Sequence, residues 1–281
     1  MLYRNDTFWF LASRSMAMRA APTAPRPGGE PGVLLAVPPF RQQRSLSCEM
    51  AALRMAAAFQ GVSRSETDLV ALLPADKSQP RAEGQRVIWA DAERVFAGNI
   101  RGWQLHYGGL RSYPSRARRG AWGYGVHAPG IAEVAARLGL EAQLFDSADQ
   151  VFRALDRGHP VVVIVPCSGK STARKWTWYT AKGVPVDVID SEHAVTVRGY
   201  DERSVLVHDP LGAAASYARG VFQRAFDLLK SGVEIGPPRT VLPAPGRLIP
   251  GKPPMPPLPP KELQSRHHPL AWPRSPESVN P

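Results

Sequence analysis

Proline decides how much of this chain can hold regular structure. Of its 281 residues 29 are proline, and they gather toward the two ends. The first 32 residues close on Pro22-Thr-Ala-Pro-Arg-Pro-Gly-Gly-Glu-Pro31-Gly32, and from Pro243 onward turn residues and runs such as Pro253-Pro254-Met255-Pro256-Pro257-Leu258-Pro259-Pro260 dominate. A proline lacks the backbone N–H that helices and central strands need. Residues 1–32 therefore read as a disordered leader and 243–281 as a disordered Pro-rich tail. The tail is an extended or polyproline II spacer, or a ligand for a partner that reads such segments. Folding is confined to about 33–242, enough for one domain with a substantial core.

Within that window a strand over 33–37 stops at Pro38-Pro39. A helix is expected from about Ser47 to Phe59, ending before Gly61, with Cys48, Ala52, Met55 and Phe59 on one stripe. Ser63-x-x-Glu66 reads as a capping box for a second helix that ends near Pro74. Residues 75–128 are long, polar and Gly-rich, with a basic piece from Arg111 to Arg119; a connection of this length is usually functional or flexible. A helix from Gly130 to Leu138 is closed by Gly139, and Ser147-x-x-Gln150 opens another that ends at Gly158. Pro160-Val-Val-Val-Ile-Val-Pro166 is a buried type of strand. His193–Arg198 and Ser204–His208 form a hairpin, residues 220–230 a last amphipathic helix, and Arg239–Leu242 a short strand. Helices come first and strands later, which is an α+β order.

The formal charge is +11 and the pI about 10.1. A basic surface attracts anions, but no dense basic run is interleaved with aromatic residues, so sequence-specific nucleic-acid binding is not expected. No apolar run approaches the ~20 residues of a membrane span. Arg4 followed by the apolar Phe8–Ala12 has the order of a signal peptide but is short for one, leaving a cytoplasmic or an exported location open. No G-x-x-x-x-G-K-[ST] occurs, so no ATP is expected, and no His/Cys/Asp cluster has metal-ligand spacing, so neither metal nor cofactor is.

Chemistry centres on the cysteines. There are two, Cys48 and Cys167, too few for a disulfide scaffold although one bridge could form. A lone cysteine is usually a small buried hydrophobe. Cys48 differs because it stands where a loop gives way to a helix. There the helix dipole is expected to lower the thiol's pKa, and free amides can hold an oxyanion. A thiolate nucleophile needs a base. His267 and His268 lie in the Pro-rich tail, His159 follows a helix end, and His106 and His127 fall in the irregular region. His193 and His208 lie in the hairpin. If its turn is centred on Asp201, His193 stands opposite Asp209 on the face shared with Val195 and Val197, and His208 points the other way. A carboxylate placed there fixes the tautomer of the imidazole. Gln42, six residues before Cys48, offers an amide to an oxyanion, but Gln43 is its equal on composition.

Taken together, Val37-Pro-Pro-Phe-Arg-Gln42-Gln-Arg-Ser-Leu-Ser-Cys48-Glu-Met-Ala-Ala-Leu-Arg-Met, Gly123-Tyr-Gly-Val-His-Ala-Pro129, Gly158-His-Pro-Val-Val-Val, His193-Ala-Val-Thr-Val-Arg-Gly-Tyr and His208-Asp209-Pro-Leu-Gly212 resemble the double-glycine leader peptidase-like family. These proteins are relatives of the bacteriocin-processing cysteine peptidase domain, within the papain-like fold. The resemblance covers about 33–242. It implies Cys48 as nucleophile, His193 as general base and then acid, Asp209 as the orienting carboxylate, and Gln42 rather than Gln43 as oxyanion donor. It also implies a peptide or protein substrate. Glu49 departs from the glycine common after the family's cysteine, and without an ATP-binding cassette the transporter-linked role does not carry over. Three readings of function remain at this point: a cysteine peptidase, a transpeptidase or amidase on the same scaffold, and a binding module with little turnover.

Overall fold

The structure is a computed structural model and describes residues 32–167 and 172–239. The leader, except Gly32, and the Pro-rich tail lie outside the described residues.

Along the chain, β1 (Val33–Leu34) leads through a loop into α1 (Cys48–Phe59) and α2 (Glu66–Leu72). Short strands follow: β2 (Ala75–Asp76), β3 (Arg81–Glu83), β4 (Arg86–Ile88), β5 (Phe96–Ala97) and β6 (Trp103–Gln104). After α3 (Gly109–Ser112), α4 (Pro114–Arg118) and β7 (Trp122–Gly123) come α5 (Ala128–Arg137), β8 (Leu140–Phe145), α6 (Ala148–Asp156) and β9 (Val161–Pro166). The chain continues with β10 (Lys175–Tyr179), β11 (Pro185–Ile189), β12 (Glu192–Tyr200), β13 (Ser204–Asp209), β14 (Ala213–Ala218), α7 (Arg219–Phe226) and β15 (Gly232–Pro238).

An antiparallel seven-stranded sheet in the order β14-β13-β12-β9-β15-β8, with β1 added to β12, forms the middle layer. Its central strand β9 is buried at every residue, and alternation divides its side chains between two cores. Val162 and Ile164 join α1 and α5 on one face; Val161, Val163 and Val165 join α6 and α7 on the other. The α+β class read from the sequence is the architecture observed.

Helix α1 sits where it does because of its composition. Ala51, Ala52, Leu53, Met55, Ala56 and Ala57 are strong helix formers without branched β-carbons, and all are buried. Gly61 takes φ +81° just past its end, a backbone that favours glycine. Thr196 Oγ1 on β12 donates to the Ala52 carbonyl at 2.9 Å and fixes the helix against the sheet.

Several boundaries differ from the sequence reading. The box that opens α2 is Ser65 with Asp68, not Ser63 with Glu66; Glu66 instead turns inward and is fully buried. Helix α5 starts two residues before Gly130, because Pro129 in its first turn is compatible with a helix start. The last strand is Gly232–Pro238; Arg239 follows it, and 240–242 lie outside the described residues. The capping box Ser147–Gln150 stands as read.

The largest difference concerns 75–128. This stretch is no loose connection. Strands β3 and β4 pair with β10 and β11 in a four-stranded sheet, and Trp89, Trp122, Tyr124, Trp176 and Trp178 form its core. Two of the indoles also hydrogen-bond to carbonyls, Trp89 to Ser78 at 2.9 Å and Trp178 to Ala90 at 2.8 Å. Trp89 and Trp122 thus fill the core, whereas Trp103 is half exposed beneath the Arg116 guanidinium, 4.3 Å above its ring.

Candidate active site

Cys48 is the first residue of α1, as the sequence indicated. The loop before it is organised by Glu66. That carboxylate accepts from Gln43 N–H at 2.8 Å and from Ser47 Oγ at 2.8 Å, and pairs with Arg44 at 3.0 Å. Ser47 thereby loses its usual task, for its hydroxyl makes no capping bond to the helix. Gln42 donates its backbone N–H to Pro210 O at 2.8 Å, which ties this loop to the residue after Asp209. Its side-chain Nε2 donates to Arg44 O at 2.8 Å and Ser45 O at 3.0 Å, while its Oε1 is buried without a partner.

On β12, alternation sends Glu192, Ala194 and Thr196 toward α1, and His193, Val195 and Val197 to the other row. His193 Nε2 lies 2.7 Å from Asp209 Oδ1. The hairpin register is not the one expected. Thr196 pairs with His208 and Val197 with Val207, so Asp209 stands level with Val195, two residues from His193. The turn closes between Asp201 and Ser204 rather than around Asp201, and a bulge at Arg198 shifts the ladder. An offset of two residues preserves the face, and the imidazole reaches the carboxylate diagonally. His208 lies on the opposite row with Nε2 2.9 Å from Val37 O.

Burial disfavours the charge on Asp209, yet the His193 hydrogen bond, the imidazole's charge and the Leu211 N–H hold its pKa below the ordinary carboxylate value.

The thiol itself faces a different group. Cys48 Sγ donates to Glu49 Oε2 at 3.4 Å, and Glu49 Oε1 accepts from Val126 N–H at 2.8 Å. Glu192 completes the cluster: the sulfur and one oxygen from each carboxyl group lie within 4.8 Å of one another, all buried. Burial, then Glu49 and then Glu192, push the thiol's pKa well up. The expected lowering by the helix terminus is therefore overturned, because desolvation and two acidic neighbours outweigh a partial dipole charge. Burial likewise pushes Glu49 up to about 7, and burial with the charge of Glu49 pushes Glu192 well up. Among the described residues this is the one group with the closeness of metal ligands. Neither Glu49 nor Glu192 stood out in the sequence as an acid at the thiol; Glu49 was visible only as a departure from glycine.

The 75–128 region borders this site, since Gln104 Nε2 donates to the Glu192 carbonyl at 2.8 Å. Cys167 stands just past β9, its N–H bonded to Ser191 O at 2.6 Å, and no disulfide joins it to Cys48.

Comparison with known proteins shows the family and the fold. A model of the Peptidase_C39 like family matches residues 34–231, a span that contains Gln42, Cys48, His193 and Asp209. The uncharacterized protein YvpB of Bacillus subtilis (strain 168) is 36% identical over 66 residues, which is 24% of this chain. The chain spans only 26% of that relative's length. A crystal structure from Bacillus anthracis assigned as a C39-like peptidase superposes with TM-score 0.60 at 22% identity, over 73% of this chain and 98% of that one. The peptidase domain of Streptococcus ComA, a bifunctional ABC transporter of a quorum-sensing pathway, gives only TM-score 0.40 at 16% identity, over 71% and 97% of the two chains. With α+β papain-like architecture and a family match over most of its length, the chain belongs to the Peptidase_C39-like family of cysteine peptidase-like hydrolases.

Proposed function

We propose that the protein hydrolyses peptide or amide bonds by acyl transfer through Cys48, His193 and Asp209, with Gln42 at the oxyanion. The observation that carries this reading is the 2.7 Å His193–Asp209 pair at the start of β12. It lies one residue from Glu192, whose carboxyl group packs beside the Cys48 thiol at the start of α1.

Asp209 binds Nε2 and so leaves Nδ1 as the nitrogen that serves the thiol. Sγ turns from Glu49 toward His193 and passes its proton to Nδ1. The thiolate attacks the carbonyl carbon, forming a C–S bond. The Cys48 N–H at the helix terminus and the Gln42 amide stabilise the oxyanion. For this the Gln42 Nε2 leaves the Arg44 and Ser45 carbonyls, a movement compatible with its unsatisfied Oε1. The imidazolium then protonates the leaving amine as the C–N bond breaks, and water activated by His193 cleaves the thioester.

The test is hydrolysis of a mixed library of unmodified peptides, read by mass spectrometry. Cys48→Ala and His193→Ala each abolish product formation if the reading holds. Cleavage that persists in either variant overturns it.

A further inference from the structure

This acyl-transfer scheme leaves two buried carboxyl groups at the thiol without a task. Burying a carboxylate without a compensating partner is costly. Glu49 is fully buried and Glu192 is 4% exposed, and among the described residues neither pairs with a Lys, Arg or His side chain. They converge over Gly125, where a Cβ would stand 2.5 Å from Glu49 Oε1 and 2.7 Å from Glu192 Oε2. Glycine is thus what makes room for both. Glu192 Oε2 receives the Gln104 amide at 3.4 Å, and Glu192 Oε1 is buried with no partner.

We propose that Glu49 and Glu192 are positioning residues of the active site: a carboxyl pair that carries at most one charge and sets the proton state of Cys48. The proposal rests on the reading of Cys48 as nucleophile. When the pair is ionised, Glu49 accepts a hydrogen bond from the S–H and its charge opposes a thiolate. When the pair is neutral, that opposition ends and the sulfur is free to give its proton to His193.

Two carboxylates this close in a water-excluded site cannot both ionise. Burial raises both groups, Glu49 to about 7. Because each group's charge shifts the other's proton affinity, the thiol and the pair titrate as a coupled set. The remaining groups near this cluster come from three directions. From β12, the Ala194 N–H favours the thiolate, and the charge of His193 favours the ionised form of Glu49. From the segment after β7, Tyr124 is held neutral by burial and then by the charge of Glu192. From the segment before β12, Asp190 acts on Tyr124 and is bound by the Trp176 indole at 3.0 Å and by Tyr107 N–H at 2.8 Å.

The experiment is alkylation of the full chain by iodoacetamide from about pH 5 to 10, with peptide mass spectrometry reading Cys48 apart from Cys167. Log rate should rise with unit slope to about pH 7, where Glu49 ionises, flatten over roughly one pH unit, and then rise again. E49Q/E192Q keeps the side-chain shapes and removes the charge, so it should give one straight slope and about tenfold faster alkylation at pH 8. His193→Ala should keep the plateau. A straight profile in the unaltered protein, a plateau that survives E49Q/E192Q, or a plateau lost in His193→Ala overturns the proposal. If E49Q/E192Q does not fold, the unaltered and His193→Ala profiles decide. A plateau in a protein that cleaves no peptide keeps the pair and removes the peptidase reading; Cys48-dependent cleavage with a straight profile does the reverse.

Discussion

Two acidic groups flank the start of β12, and the fold treats them in opposite ways. On one row of the strand, Asp209 is paired with His193 and ionises more readily than a free carboxyl group. On the other row, Glu192 meets Glu49, and both hold protons more tightly than free glutamates. The side chains are chemically alike, and both sites are largely shut from water. What differs is the partner: an imidazole rewards the charge, and a second carboxyl group penalises it. A strand with period two separates these environments by a single residue. That is how the start of one strand borders both a readily ionised carboxylate and a carboxyl pair that holds its protons.

The comparison can be broken at several points. Cys48→Ala or His193→Ala should lower kcat/KM for peptide hydrolysis at least about a thousandfold, since triad members act as a unit. Asp209→Asn should lower kcat by up to roughly ten-thousandfold with KM little changed, because it removes the orientation of the imidazole and not substrate contacts. Glu66→Ala leaves Arg44 and two donors unsatisfied at the loop before Cys48, so chemical denaturation should show a loss of roughly 3 kcal/mol. Gly125→Ala drives a Cβ against both glutamates and should cost about 1–3 kcal/mol by the same assay.

The smallest effect is in stability against pH, and its sign differs between the two rows. Asp209 has a lowered folded-state pKa, so its contribution is present above the ordinary carboxylate pKa and is lost as pH falls through the lowered value. Glu49 has a raised one, so stability is fully present below the ordinary glutamate pKa of about 4.3. It is lost as pH rises toward about 7. Thermal melts should therefore show Asp209→Asn flattening the acid side. E49Q/E192Q should flatten the interval up to neutrality and raise Tm by roughly 5 °C at pH 8.

Much of the fold was legible because its signals are local. A run of alanine, leucine and methionine marks α1, Ser147 and Gln150 mark the start of α6, and five consecutive branched residues mark β9. The 75–128 region was not legible, because strands of two or three residues have no readable period. Its tryptophan core is completed by Trp176 and Trp178, distant in the chain. For the site, the face of His193 and Asp209 survived an error in register because the error was even. The proton state of Cys48 did not: helix-end placement is visible in a sequence, whereas Glu192 folding back onto Glu49 has no local signature. Glu66 was misread for a similar reason, as its spacing from Ser63 imitates a capping box.

The most direct test of the account is acid-quenched trapping of an acyl-enzyme. A set of activated acyl esters of short peptides is mixed with the full chain and analysed by intact-protein and peptide mass spectrometry. The account predicts one acyl group on Cys48, formed quickly in the unaltered protein and far more slowly in His193→Ala. Peptide product formed with no adduct at Cys48, or an adduct that forms equally fast without His193, would contradict it.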